Sequence, residues 1–136
     1  MTVSYDAIRR AFNNRMMGFP GLDPSRINWP NSENSEGSFP TPKAGEWIAF
    51  NIQYGTGVFC GYGEQPQFRR PGQIVIQCFA RRATGETGLV DLADRLCNHF
   101  QAWSSGDIQC WEASLNTVGG SKDFYQINVS VRFSAG

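Results

Sequence analysis

Residues 72–100 contain the feature that most constrains the fold: a predicted strand, a turn and an amphipathic helix in direct succession. The strand is expected at Gln73–Ala80, and a turn rich in Gly and Thr follows at Arg81–Gly88. A helix is expected from Leu89 to about Phe100, because apolar residues recur there at helical spacing. Those apolar residues are Leu89, Leu92, Ala93, Leu96 and Phe100. A strand followed by such a helix predicts a domain that packs helices on a sheet.

A second helix is expected at the start of the chain, over residues 4–17. Ser4 is a suitable N-cap, and Gly18 with Pro20 is expected to end the helix, Gly18 in the left-handed conformation. The apolar residues at helical spacing are Tyr5, Ile8, Ala11, Phe12 and Met16. One face of this helix is therefore expected to be buried.

The segment between the first helix and the middle of the chain alternates loops with strands. Residues 19–45 form a proline-rich loop that is most polar at 31–38, with Ile27 and Trp29 as apolar anchors. A strand is expected at Glu46–Tyr54, where apolar and polar residues alternate. Residues 55–72, with four glycines spread over 55–63, predict a long, flexible hairpin arm.

Two further strands are expected near Asp107–Leu115 and Phe124–Phe133, joined by a turn at Gly119-Gly120. The predicted order is α-β-β-α-β-β. This order favours an α+β fold with a mostly antiparallel sheet of four or more strands and both helices packed on one face. At 136 residues, the whole chain, 1–136, is expected to form a single domain.

Charge and hydropathy narrow the classes of partner. Twelve basic and twelve acidic residues cancel, which disfavours a dedicated nucleic-acid binder and is compatible with self-association. No apolar run reaches the roughly 18 residues that a membrane span requires. The first residues, Met1–Asp6, lack the pattern of a secretory signal. We therefore expect a cytoplasmic protein without a membrane partner.

The side chains that usually carry chemistry do not form a recognisable site. His99 is the only histidine and lies near the end of the second predicted helix, where a cation would complement the helix dipole. The cysteines are too widely spaced for a structural zinc site, and burial as small apolar residues is the favoured interpretation over a disulfide or metal site. They are Cys60, Cys78, Cys97 and Cys110. The sequence therefore predicts no enzyme activity, no cofactor and no metal.

Candidate contact residues cluster in the predicted arm and in two basic pairs. Aromatic residues and Arg are enriched in interface hot spots, so the arm is expected to touch a neighbouring subunit or another protein. An alternative is that Phe59 and Phe68 fold back onto their own sheet. Each basic pair is either a solvated surface or a contact for an acidic partner or phosphates. The candidates are Phe59, Tyr62, Phe68, Arg69, Arg70, Arg81 and Arg82.

Taken in order, several segments resemble the tail terminator, or tail completion, proteins of lambda-like long-tailed bacteriophages. The resemblance covers nearly the whole chain but consists of core and turn residues. The polar segment 31–38 and the long arm depart from the family pattern, which leaves the detailed contacts open. The matching segments are Tyr5–Arg9, Pro20–Leu22, Ile27–Asn31, Pro40–Pro42, Trp47–Phe50, Gly72–Phe79, Gly85–Gly88, Leu92–Phe100 and Phe124–Val131.

The resemblance implies a ring of six copies at the top of the tail tube. Such a ring would end polymerisation of the tube protein and present a surface to the head–tail connector. DNA would pass through its lumen without sequence-specific binding. The protein would belong to the virion and would occur in the host cytoplasm during assembly.

Two other functions remain open at this stage. The chain could be another neck or head–tail joining protein of similar build. It could also be a small ligand-binding module or enzyme in which residues 55–72 act as a lid.

Overall fold

A computed structural model of the chain describes residues 3–30, 42, 44–61, 67–82, 84–120 and 123–136, apart from the side chains of Cys60 and Gln67. The predicted contact residue Tyr62 and the polar segment 31–38 lie outside the described residues.

The first helix, α1, covers Tyr5–Met17 and starts as the sequence predicts. The Ser4 side chain accepts a hydrogen bond from the Ala7 backbone N–H over 3.1 Å, which is the bond expected of an N-cap. The expected left-handed end at Gly18 is wrong, because Gly18 has a φ of −79°. Its N–H still bonds to the Asn14 carbonyl, so the chain leaves the helix through a right-handed turn.

The described residues form a seven-stranded sheet and a second helix, α2, over Thr87–Phe100. A short 3₁₀ helix, Pro24–Arg26, precedes the first strand. The strands are β1 Ile27–Asn28, β2 Trp47–Tyr54, β3 Val58–Gly61, β4 Gln67–Arg81, β5 Ser104–Ser105, β6 Ile108–Gly120 and β7 Phe124–Ala135. Across the sheet the strand order is β1-β2-β4-β7-β6-β5, and β3 pairs with β4 beside this path.

The α+β class and the two helices are confirmed, but the predicted order α-β-β-α-β-β is incomplete. It omits β1, β3 and β5, of which two have only two residues and are too short for alternation to be visible. The sheet is also not wholly antiparallel, since β1 runs parallel to β2. Ile27 is buried opposite Ile48 in that pair, so the expected anchor of the proline-rich loop is a strand residue.

Both helices pack on one face of the sheet and share a single cluster of buried apolar residues. The Phe12 ring of α1 lies 4.8 Å from the Phe133 ring of β7, centroid to centroid. The Phe100 ring of α2 lies 6.3 Å from the Phe50 ring of β2. Alternate residues of β4 and β7 point into this core, and their neighbours form a helix-free face rich in amides and hydroxyls.

Strand β4 is much longer than the predicted strand at Gln73–Ala80, because it continues outward past Gly72 as one side of the hairpin arm. The partner of β4 changes near Pro71, a residue that has no N–H to give to the ladder. The next residue must be small. A Cβ on Gly72 would lie 2.5 Å from the Gln53 carbonyl oxygen and 2.6 Å from the Phe133 ring.

Candidate assembly surfaces

The hairpin arm consists of β3 and the first residues of β4, and it carries its aromatic side chains on one side. Phe59 lies directly opposite Phe68, and their ring centroids are 5.4 Å apart in an edge-to-face arrangement. Even so, 43% of Phe59 and 39% of Phe68 remain exposed. The two rings thus pack on each other and still present apolar surface to the outside.

Adjacent arginines in β4 have different surroundings. The Arg70 guanidinium lies 4.0 Å from the centre of the Tyr5 ring and donates a hydrogen bond to the Val3 carbonyl over 3.1 Å. Arg70 therefore fastens the N-terminus to the sheet. Arg69 is exposed and, in the described part of the chain, forms no ion pair or side-chain hydrogen bond. Of the two, Arg69 is the more available to a partner.

The second basic pair lies at the opposite end of β4. Arg81 donates two hydrogen bonds to the Pro42 carbonyl, over 3.1 and 2.7 Å, and its guanidinium lies over the Trp47 and Phe124 rings. It holds the end of the proline-rich loop against the sheet. Arg82 is exposed, and its backbone N–H bonds to the Asp123 carbonyl. The sequence candidates thus lie at two separate ends of the molecule, and their role in an interface stays a prediction.

A shallow trough of about 540 Å³ crosses the helix-free face near the base of the arm. Trp111 forms one wall and is 48% exposed, while Arg132 lies beside it. Gln73 and Gln53 lie across the trough and bond to each other over 2.7 Å. The trough therefore combines an aromatic surface with amide and guanidinium groups.

The outer edge of β6 is a further candidate surface. Ser104–Ser105 and the chain after α2 cover its beginning, as far as Trp111. From Glu112 to Gly120, β6 pairs with β7 on one side, and no strand among the described residues pairs with the other side. Leu115 and Val118 on this stretch are 41% and 53% exposed. An edge of this length with unpaired backbone groups is a template for another strand.

Sequence reasoning missed the β6 edge and Trp111. The predicted strand ended at Leu115, so the apolar Val118 was not assigned to a strand. The alternation in β6 is also interrupted by irregular pairing between Cys110 and Ala113 and between Thr117 and Gly119. A Trp among the polar residues of the strand was the one available signal.

His99 joins the ends of the two helices. Its Nε2 donates to the Arg15 carbonyl over 2.8 Å, and the Arg15 guanidinium donates to the His99 carbonyl. Burial lowers the pKa of His99, an effect that the hydrogen bond to Arg15 opposes and the Arg15 charge reinforces. The lowered pKa favours the neutral imidazole, and the cation that meets this helix end is the Arg15 guanidinium.

The three described cysteines pack against the interior to different extents. Cys78 and Cys110 are buried, Cys97 is half-buried, and all three are unpaired. Burial raises the pKa of Cys78 and of Cys110 to about 12, so both stay protonated at neutral pH. Thiols in that state are poor nucleophiles and poor metal ligands.

The described residues contain no group of three or more His, Cys, Asp or Glu side chains placed to hold a metal ion. Neither described helix has the length and apolar character to span a membrane.

No family model matches this sequence, and no curated protein matches it. A solved structure whose name carries no functional description superposes on it with a TM-score of 0.72. The alignment covers 98% of this chain and 96% of that chain. The fold is shared. Because only 15% of the aligned residues are identical, the likeness shows the fold alone.

Proposed function

We propose that this chain is a structural phage protein whose copies form a ring of six at the top of the tail tube. The ring ends polymerisation of the tube and joins it to the head or connector, while DNA passes through its lumen. The proposal begins from the ordered resemblance to tail terminator proteins. The single observation that supports it best is a pair of exposed surfaces, the arm and the edge of β6 with which no described strand pairs.

The surroundings of the reactive side chains also support a role in assembly. A general base needs an imidazole that can reach a substrate, whereas the Nε2 of His99 is already bonded to the Arg15 carbonyl. The buried thiols of Cys78 and Cys110 are protonated. Surface contacts therefore account for this architecture better than bond-making chemistry does.

Electron microscopy of the purified protein tests the proposal. Six chains of 15.1 kDa form a particle of about 90 kDa, which we expect as rings in solution or on the ends of tail tubes. Adding the protein to growing tubes should stop their elongation. A stable monomer that leaves tube length unchanged would contradict the proposal.

A head–tail joining protein is the first alternative within the same class. Pull-down against tube protein and against connector protein separates the two functions, because only a terminator caps free tubes. Binding to connector protein alone would favour the alternative.

The trough beside Trp111 favours a second alternative, a ligand-binding module with the arm as its lid. Tyr54 and Gly55, at the base of the arm, line this trough. A ligand that binds the folded state raises the apparent melting temperature. A clear rise with a nucleotide, sugar or metabolite, lost in Trp111→Ala, would support this function over assembly.

A further inference from the structure

We infer that the arm of one copy pairs with the open edge of β6 in the next copy. The inference rests on the proposed ring and assigns the two surfaces that form its subunit contact. One subunit contributes β3 and the outer part of β4, and its neighbour contributes residues 112–120 of β6.

The receiving edge lacks the devices that usually protect an edge strand. Proline, lysine and inward-pointing charge discourage pairing with another chain. Residues 112–120 contain neither Pro nor Lys, and their one charged residue, Glu112, stands at the start of the stretch. Leu115 and Val118 are exposed there. This composition is suited to an edge that a partner strand covers.

The arm is expected to gain stability from a further strand or a packed surface. A hairpin of two strands is at best marginally stable in water, and a third strand or a packed surface makes it stable. Beyond Arg70, β4 has passed the end of β7 and pairs only with β3 among the described strands. Phe59 and Phe68 lie on this part, more than a third exposed. A neighbouring strand would cover this exposed apolar surface.

The two surfaces match in the side chains on each face. Counting in twos from the core residues of β4 places Phe68 on the helix side of the sheet, together with its partner Phe59. Leu115 lies opposite the buried Val129 and is therefore on the helix side of β6. A continuous sheet would bring the Phe pair and Leu115 together on the same face.

The opposite face brings unlike charges together. Arg69 alternates with Phe68 and so lies on the helix-free side, where Glu112 lines a second shallow pocket together with Ser130 and Arg132. Neither Arg69 nor Glu112 forms an ion pair or side-chain hydrogen bond in the described part of the chain. Apolar contact on one face and opposite charge on the other determine which face of the arm lies on the helix side of the neighbouring sheet.

The two surfaces are different, so the contact is head-to-tail. Such a contact leaves an unused arm and an unused edge at the ends of any open chain, and closure into a ring satisfies both. The inferred contact therefore accounts for a closed ring from a single kind of subunit.

Charge reversal tests the pair directly. Arg69→Glu and Glu112→Arg should each raise the apparent dissociation constant for assembly by about tenfold or more, measured by sedimentation across a concentration series. The double variant should restore assembly. Asp94→Arg makes the same charge change as Glu112→Arg, at an exposed position of α2, and serves as its control, which should assemble like the wild type. Circular dichroism and the melting temperature establish that each variant is folded.

Cross-linking provides a second measurement. In a Cys60→Ser background, which removes the native thiol of β3, a variant that carries both Arg69→Cys and Glu112→Cys should on oxidation join neighbouring copies into a ladder that ends at the ring size. Each single variant should give no ladder, because the two positions meet only between different surfaces. Failure of the double charge variant to restore assembly, together with no ladder, would overturn the inference.

The outcomes separate this inference from the proposed function. If the wild type forms rings or caps tubes and the single charge variants do so equally well, the contact lies elsewhere and the ring function stands. If the wild type forms no ring and leaves tube length unchanged, the proposed function fails, and the inferred contact fails with it.

Discussion

The helix-packed body and the arm use the same kinds of side chain in opposite ways. In the body, Phe12, Phe50, Phe100 and Phe133 are completely buried, and they contact one another across the helix–sheet interface. In the arm, two phenylalanines contact each other and remain substantially exposed. The buried rings stabilise the fold, whereas the arm is the surface that we propose for assembly, so substitutions can be designed to affect one without the other.

The largest effect is expected from truncating a body residue. Leu96 is fully buried on the inner face of α2, so Leu96→Ala should lower the free energy of unfolding by about 2 to 5 kcal/mol. Val58 is exposed on the arm, and Val58→Ala should change that free energy by no more than about 0.5 kcal/mol. Urea denaturation of both variants checks the difference. Equal losses would mean that the arm belongs to the cooperative core.

Two glycines provide the next comparison. Gly72→Ala should cost about 1 to 3 kcal/mol, since the new methyl group would overlap the Gln53 carbonyl and the Phe133 ring. At Gly57, near the base of the arm, the nearest atom to an added Cβ is the Arg69 carbonyl oxygen at 3.8 Å. Gly57→Ala should therefore be close to neutral. Melting temperatures of the pair are sufficient, and an unaffected Gly72→Ala variant would refute the close packing.

Arg69 and Arg70 are neighbours in β4 but are expected to act in different regions, Arg69 in the arm and Arg70 in the body. Arg70→Ala removes a cation–π contact with Tyr5 and a hydrogen bond to Val3, at an expected cost of about 1 kcal/mol. Arg69→Ala should leave stability within about 0.5 kcal/mol and should instead weaken assembly. Thermal denaturation and sedimentation, run on both variants, distinguish these effects. If Arg69→Ala instead lowered stability and Arg70→Ala weakened assembly, Arg69 would belong to the body and the arm would begin beyond it.

The smallest expected effect is a pH dependence confined to the body. Burial depresses the pKa of folded His99 below its ordinary value of 6.5, so its contribution to stability is complete above that value. This contribution is lost as the pH falls toward the folded pKa, because the unfolded chain takes up the proton more readily. Unfolding midpoints in urea at about pH 7.5 and about pH 5.5 measure it.

His99→Gln is the control, since an amide can still donate to the Arg15 carbonyl and does not titrate. Its midpoint should change less between the two pH values than that of the wild type. The pKa of Asp6 and that of Asp23 are lowered from 3.8, so their titration lies below the measured range. An identical pH response in the variant would show that His99 is not the group responsible.

The strongly periodic parts of the fold could be predicted from the sequence. The five apolar residues expected on one face of α2 are its five buried residues, and in α1 the Ser4 cap and buried Ile8, Phe12 and Met16 agree with the prediction. Helical spacing leaves little choice of face. The short strands β1 and β5 could not be found this way, because two residues contain no period and their pairing depends on distant partners.

The candidate surfaces were only partly predictable. Glycines and aromatics indicated the arm, but the contrast between Arg69 and Arg70 depends on alternation in β4 and on the position of Tyr5. The availability of the β6 edge is a property of sheet order, which places β7 on one side of that strand; after Trp111 no strand of the described residues pairs with the other side. No local sequence pattern determines which of several strands stands at an edge.

Strand β4 runs for fifteen residues from the arm into the centre of the sheet. Hydrogen bonds of an antiparallel ladder lie perpendicular to the strands. A tensile load applied to the arm and directed along β4 would thus be resisted in shear by its bonds to β2 and β7 together, whereas peeling would break them one at a time. The geometry would let the sheet resist such a load by sharing the force across many bonds.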